Sequence, residues 1–251
     1  MTEAERPEAD RPEPERPEPD SAGPDRPEPD WSDEGREDHY HPLANGLGRA
    51  AEAGDTDLVR RLLAGGADAD AWVQGGRRAL DLAACAGHAD VVRLLLASGA
   101  DPRLIAGPYY ESGVLSLAAM NGHTDVARAL LDAGVDPNGP EGKLKHVPLV
   151  LAATSMEAGH PDTVDLLLER GADIDGRMKG STALDLAATC GHAAVVEQLL
   201  ARGAAVTRQT VLGAMGGRKR NADGAVTYGW RDRDPEYKAV LSALRVAWDA
   251  R

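Results

Sequence analysis

The chain has 251 residues and a formal net charge of −13, with 42% hydrophobic residues, 4% aromatic residues and no phenylalanine. That length makes one or two domains, and no apolar run approaches the roughly 20 residues of a membrane span. The charge is unevenly spread, because residues 1–38 hold fifteen acidic residues against five arginines and the remainder is near balance.

Eight of the sixteen prolines precede residue 30, in near-copies of R-P-E-P such as Arg11-Pro12-Glu13-Pro14 and Arg26-Pro27-Glu28-Pro29. A segment so poor in apolar side chains buries too little surface to offset chain entropy, which predicts a disordered, extended acidic tail over residues 1–38. It carries no apolar h-region of a secretory signal.

From Pro42 onward a different pattern starts and recurs. Its clearest copy is Arg78–Asp101, in which Leu80, Ala83 and Ala84 share one helical face and Val91, Val92, Leu95 and Leu96 share another. Each run is about ten residues, too short to stand alone in water, so each must pack on a neighbour. The turn between the runs recurs as Gly54-Asp55, Gly87-His88, Gly122-His123, Gly159-His160 and Gly191-His192. A closing glycine follows each, at Gly66, Gly99, Gly134, Gly171 and Gly203, where a helix stops in a left-handed conformation. Paired alanines precede each turn, from Ala50-Ala51 to Ala187-Ala188, and paired leucines fill each second helix, from Leu62-Leu63 to Leu199-Leu200. A period near 33 built from two short helices and a turn has a known owner. Over residues 42–206 the chain resembles the ankyrin-repeat family, and five coincident columns carry the resemblance. It implies an all-α solenoid of about five stacked helix–turn–helix units with finger loops between them.

The signature T-P-L-H of that family survives only as Val147-Pro148-Leu149-Val150, and no repeat keeps its histidine. Asp81, Ser116 and Asp185 stand at that position and are candidates to replace its bonds between repeats. After Val206 the pattern decays into a region over residues 207–251 that is expected to cap the array. Thr207–Met215 is predicted to form a short helix, followed by a polar stretch from Gly216 to Asp234. Asp234-Pro235 then opens a final helix, with Pro at the first helical position. On it Tyr237, Val240, Leu241, Leu244 and Trp248 share the face expected to seal the last full repeat.

Little of this reads as catalysis. His88, His123, His160 and His192 occupy one turn column, which reads as turn-forming and capping rather than as a metal relay. Cys85 near His88, and Cys190 near His192, lack the surroundings that activate a thiolate. Three repeats apart, the two cysteines cannot bridge and are expected as free thiols in a reducing, cytoplasmic compartment. His39-Tyr40-His41 beside Asp38 has no partner cluster with zinc spacing. Gly46-Leu47-Gly48-Arg49-Ala50-Ala51 matches G-x-G-x-x-A by letter, but no strand precedes it. The expectation is therefore no catalytic residue, no metal and no cofactor.

What remains is a surface for binding. The resemblance implies that finger loops and the concave face of the first helices contact a partner. The fingers carry Arg77, Arg78, Arg103, Lys143, Lys145, Arg177 and Lys179, with Trp72, Tyr109, Tyr110 and Met178 among them. Arginines and exposed aromatics are the residue types that anchor protein interfaces. Six aspartates at the finger bases (Asp68, Asp70, Asp101, Asp136, Asp173, Asp175) oppose that positive charge. The reading is a monomeric, non-catalytic interaction module for another protein, with an acidic segment as ligand, a role the chain's own tail can also play. The alternative is a regulatory subunit of an enzyme, or a nucleic-acid-associated regulator acting through Arg218-Lys219-Arg220.

Overall fold

Each apolar run pairs with the next in the sequence and is buried by the runs one period away. The computed structural model describes residues 42–73, 76–104, 113–139, 146–155, 159–215, 219–220, 226–227 and 235–249, within the unit Glu37–Arg251. The expectations for residues 1–38, for His39, Tyr40 and His41, and for Arg218 lie outside these residues.

Among the described residues there are twelve helices: α1 (Pro42–Ala53), α2 (Thr56–Ala64), α3 (Ala79–Ala86), α4 (Ala89–Ala97), α5 (Val114–Met120), α6 (Thr124–Asp132), α7 (Pro148–Thr154), α8 (Pro161–Glu169), α9 (Ala183–Cys190), α10 (Ala193–Ala201), α11 (Arg208–Ala214) and α12 (Pro235–Asp249). The odd-numbered helices pack on one another in order as a first row, and the even-numbered helices form a second row. None is long and apolar enough to cross a membrane. Helix α11 packs on α9, and α12 packs on both α10 and α11. The region expected to cap five repeats is thus itself a sixth helix pair, in register with the rest.

The columns do the packing that their chemistry allows. All ten paired alanines, from Ala50 to Ala188, are buried and let the first helices approach closely. Leu95, Leu130, Leu167 and Leu199 are fully buried between units. The closing glycines Gly66, Gly99, Gly134, Gly171 and Gly203 have φ of 83° to 96°. A Cβ there would meet nothing within 4 Å, so backbone conformation rather than space selects glycine.

The turn histidines correct the sequence reading. They stand at the N-terminal caps of α4, α6, α8 and α10, but none of their side chains caps its own helix. Each reaches back one repeat instead. His88 Nε2 donates to the Glu52 carbonyl (3.0 Å), His123 Nε2 to Cys85 (2.9 Å), His160 Nε2 to Met120 (3.2 Å) and His192 Nδ1 to Ala153 (2.9 Å). A carbonyl only accepts, so the bonded ring nitrogen carries the proton. The rings also lie over the preceding turn. A Cβ on Gly54 would sit 2.6 Å from His88, and one on Gly87 would sit 2.8 Å from His123. In the sixth pair Tyr237 takes this place: it lies against Gly191, and its hydroxyl donates to the Thr189 carbonyl (2.8 Å).

The final helix seals the array through Tyr237, Val240 and Leu244, which are buried. Trp248 does not share that role, for it is 50% exposed. The apolar face of α12 is wider than the contact with α10, and Trp248 lies beyond its edge. Trp248→Ala is therefore expected to cost about 1 kcal/mol, well below the 3–5 of a buried aromatic; urea unfolding of the two proteins checks this.

Two short hairpins complete the described structure. Strands β1 (Trp72–Val73) and β2 (Arg77–Arg78) form the first finger, with Trp72 opposite Arg78 and Val73 opposite Arg77. Strands β3 (Lys219–Arg220) and β4 (Val226–Thr227) pair between α11 and α12.

Candidate functional site

The aspartates at the finger bases build the fingers. Asp68, Asp101, Asp136 and Asp173 each accept a backbone N–H two residues ahead, at 2.8–3.1 Å, which sets a local turn. Asp70 accepts from the Asp101 N–H one repeat on (3.0 Å), Asn138 from Asp173 (2.7 Å) and Asp175 from Ala205 (3.0 Å). These side chains tie each finger to the next. In the second repeat the equivalent position is Arg103, which has no acceptor to offer and stands exposed.

Arg78 is a correction. It was expected on the binding surface, yet it is fully buried, and all five of its guanidinium N–H groups have acceptors. Nε and Nη2 donate to the two Asp81 carboxylate oxygens (3.2 and 3.1 Å). Nη1 reaches Asp70 (3.3 Å) and the Asp101 carbonyl (2.8 Å), and Nη2 also reaches the Leu104 carbonyl (2.7 Å). The Arg78 N–H itself donates to Asp81. One residue thus joins its own helix, its own finger and the next finger. Burial pushes the Asp81 carboxyl above the usual carboxylate range, and the Arg78 guanidinium opposes that shift.

The other candidates to replace the missing signature histidine also bond between repeats. Ser116 Oγ donates to the His146 carbonyl (2.6 Å). Asp185 is held by the Thr182 N–H (3.1 Å) and accepts from the hydroxyls of Thr210 (2.5 Å) and Thr207 (3.3 Å) at α11.

With the aspartates and Arg78 committed to structure, fewer finger residues face outward. Arg77, Arg103, Arg177 and Lys179 are exposed, and Trp72 is 39% exposed. Met178 is half-buried against the core. Tyr109, Tyr110, Lys143 and Lys145 lie outside the described residues. Lys179 and Gly180 form the tip of the last finger at φ of 51° and 85°, closed by the Met178–Ser181 bridge and by Arg177 Nη1 on the Gly180 carbonyl (2.7 Å). A lysine with positive φ is strained, and at a type I′ tip it holds its cation outward.

Beside the fingers runs a feature that the sequence reading missed. Leu82, Leu117, Leu151 and Leu186 occupy one column of α3, α5, α7 and α9, and all are half-buried. The signal was legible as L-x-L in Leu80-Asp81-Leu82, Leu115-Ser116-Leu117, Leu149-Val150-Leu151 and Leu184-Asp185-Leu186. The first leucine of each points into the array. The second, two residues and about 200° on, emerges on the other side of the helix. Met120, 45% exposed, widens this stripe. The first finger sits beside it, since a Cβ on Gly48 would meet both Val73 Cγ1 (2.8 Å) and Leu82 Cδ1 (3.2 Å). Arg77 Nη1 lies 3.9 Å from Cys85 Sγ on the same helix.

Burial pushes the Cys85 thiol up, the reverse of an activated nucleophile, with Arg77 opposing and Asp81 and Glu52 adding to the shift. His88 and His192 are engaged with backbone carbonyls. Among the described residues no group of three or more His, Cys, Asp or Glu is placed to hold a metal.

A family model described as ankyrin repeats (3 copies) matches residues 38–106 and 115–210. No curated protein matches the chain. The matched residues span most of the helix pairs and the inter-repeat bonds described above, and the chain belongs to the ankyrin-repeat family.

Proposed function

We propose that the chain is a non-catalytic protein-binding module whose ligand lies along the half-exposed leucine stripe of the first helices, under the basic fingers. Ankyrin repeats generally serve as protein–protein interaction modules. The observations that carry the specific reading are the half-exposed stripe Leu82, Leu117, Leu151 and Leu186 with Met120, and the exposed finger cations Arg77, Arg103, Arg177 and Lys179. An apolar track on helices whose finger loops carry exposed cations fits a partner segment that combines apolar side chains with carboxylates. Neither element needs a proton, a metal or a nucleophile to act.

The test is affinity capture with the full chain, comparing wild type, the double variant Leu117→Ser/Leu151→Ser and the triple variant Arg77→Glu/Arg103→Glu/Arg177→Glu. All three substituted arginines are exposed, so melting temperatures should stay close to wild type. Loss of the same partner from both variants is the expected result. A partner retained by both places binding elsewhere and ends this reading.

A further inference from the structure

In a solenoid each helix pair stacks on its neighbours, so a pair has one side turned toward the preceding pair and another turned away from it. Among the described residues the pair that packs on α9 and α10 from the C-terminal side is α11 with α12. Thr210 and Ala214 are buried, and a Cβ on Gly213 would lie 3.4 Å from the Asp185 carbonyl, so this side of α11 faces α9. Residues about 200° away on the same helix, Arg208 and Val211, face the opposite direction. On α12 the buried Tyr237, Val240 and Leu244 meet α10, and the neighbouring stripe Leu241, Arg245 and Trp248 turns toward Arg208 and Val211.

The two stripes enclose a cleft of about 380 Å³. Its floor is Val211, Leu241 and Leu244, and its walls are Leu212 and Trp248, which are 48% and 50% exposed. Among the described residues Arg208 and Arg245 are the charged residues of its lining, and Arg245 Nε lies 3.8 Å from the exposed Asp249 carboxylate one turn along α12. A half-exposed tryptophan beside a leucine and two arginines is the composition of an interface anchor rather than of a solvated helix end. The cleft is lined by residues of two packed helices, so the shape it complements is a helix laid between α11 and α12.

We propose that this cleft is a second docking site, one that takes an amphipathic helix of a partner protein with carboxylates on both margins of its apolar stripe. Leucine-class side chains at i, i+3 or i+4, and i+7 would cover Val211, Leu241 and Trp248. Carboxylates on either side would meet Arg208 and Arg245. This site is separate from the leucine stripe of the first helices, and each can fail without the other.

The experiment uses the full chain and two synthetic labelled helical peptides with the same leucine stripe, one flanked by glutamates and one by lysines. Fluorescence anisotropy should show the glutamate peptide binding about tenfold tighter or more at low salt. Arg208→Glu/Arg245→Glu should reverse that preference, and Trp248→Glu should abolish binding of both peptides with little change in melting temperature. The triple finger variant described above should bind as wild type does. Equal affinity for the two peptides, or a preference unmoved by the arginine reversals, overturns the proposal. So does concentration-dependent dimerisation in analytical ultracentrifugation that Trp248→Glu removes, because the occupant would then be a second copy of the chain.

Discussion

Arg78→Ala is expected to destabilise the array by about 3–5 kcal/mol at neutral pH, because it leaves Asp81 charged, buried and without its partner. The same substitution removes the bonds to Asp70, to the Asp101 carbonyl and to the Leu104 carbonyl, so the first two fingers lose their common anchor. Arg78→Lys should recover only part of the loss, since an ammonium cannot present five donors in a planar fork. The pH dependence gives a second readout. Burial raises the Asp81 carboxyl above its ordinary value of 3.8. A group with a raised folded-state pKa contributes stability that is full below the unfolded value and is lost as pH rises through the folded one. Removing Arg78 removes the main force holding that pKa down, so the variant's carboxyl moves higher still. The deficit of Arg78→Ala should therefore shrink on acidification toward the ordinary carboxylate range. Urea unfolding of both proteins at neutral and acid pH measures it. A deficit below about 1 kcal/mol, or one independent of pH, would show that the pair is not the anchor described here.

Tyr237→Ala should be nearly as costly, about 3–5 kcal/mol, because it empties a buried aromatic site where α12 reaches back across the turn glycine Gly191. Tyr237→Phe keeps the ring and should cost about 1 kcal/mol, the hydroxyl's bond to the Thr189 carbonyl. Tyr237→His should lie between the two, since histidine fills the equivalent place in four earlier repeats. Amide hydrogen exchange localises the effect. Faster exchange in α10 and α12, with α3 to α6 unchanged, is the expected pattern for a one-dimensional array. Uniform acceleration along the array, or none, contradicts a local seal at this joint.

The candidate site was only partly legible beforehand. Arg77, Arg103, Arg177 and Lys179 were named as finger cations and are exposed. Arg78, their neighbour in the same finger, was named with them and is buried. The strand alternation of β2 turns adjacent arginines to opposite faces, but which face meets Asp70 and Asp81 depends on how the finger folds over α3. The leucine stripe was written in the L-x-L columns, yet a leucine beside a core leucine reads as core until helix packing shows which one the neighbouring repeat covers.

The sequence by itself determined the period, the helix pairs, their ends and the solenoid they build. Those features follow from constraints between residues close along the chain: positive φ at a closing glycine, proline at a first helical position, and apolar spacing on one helical face. Tertiary structure alone decided that the turn histidines bridge repeats, that Tyr237 continues their column, that Arg78 is an internal anchor and that Trp248 faces a cleft. Each of those outcomes involves atoms 23 or more residues away in sequence, whose approach is set by how closely paired alanines let the helices stack. A local pattern carries no record of that distance.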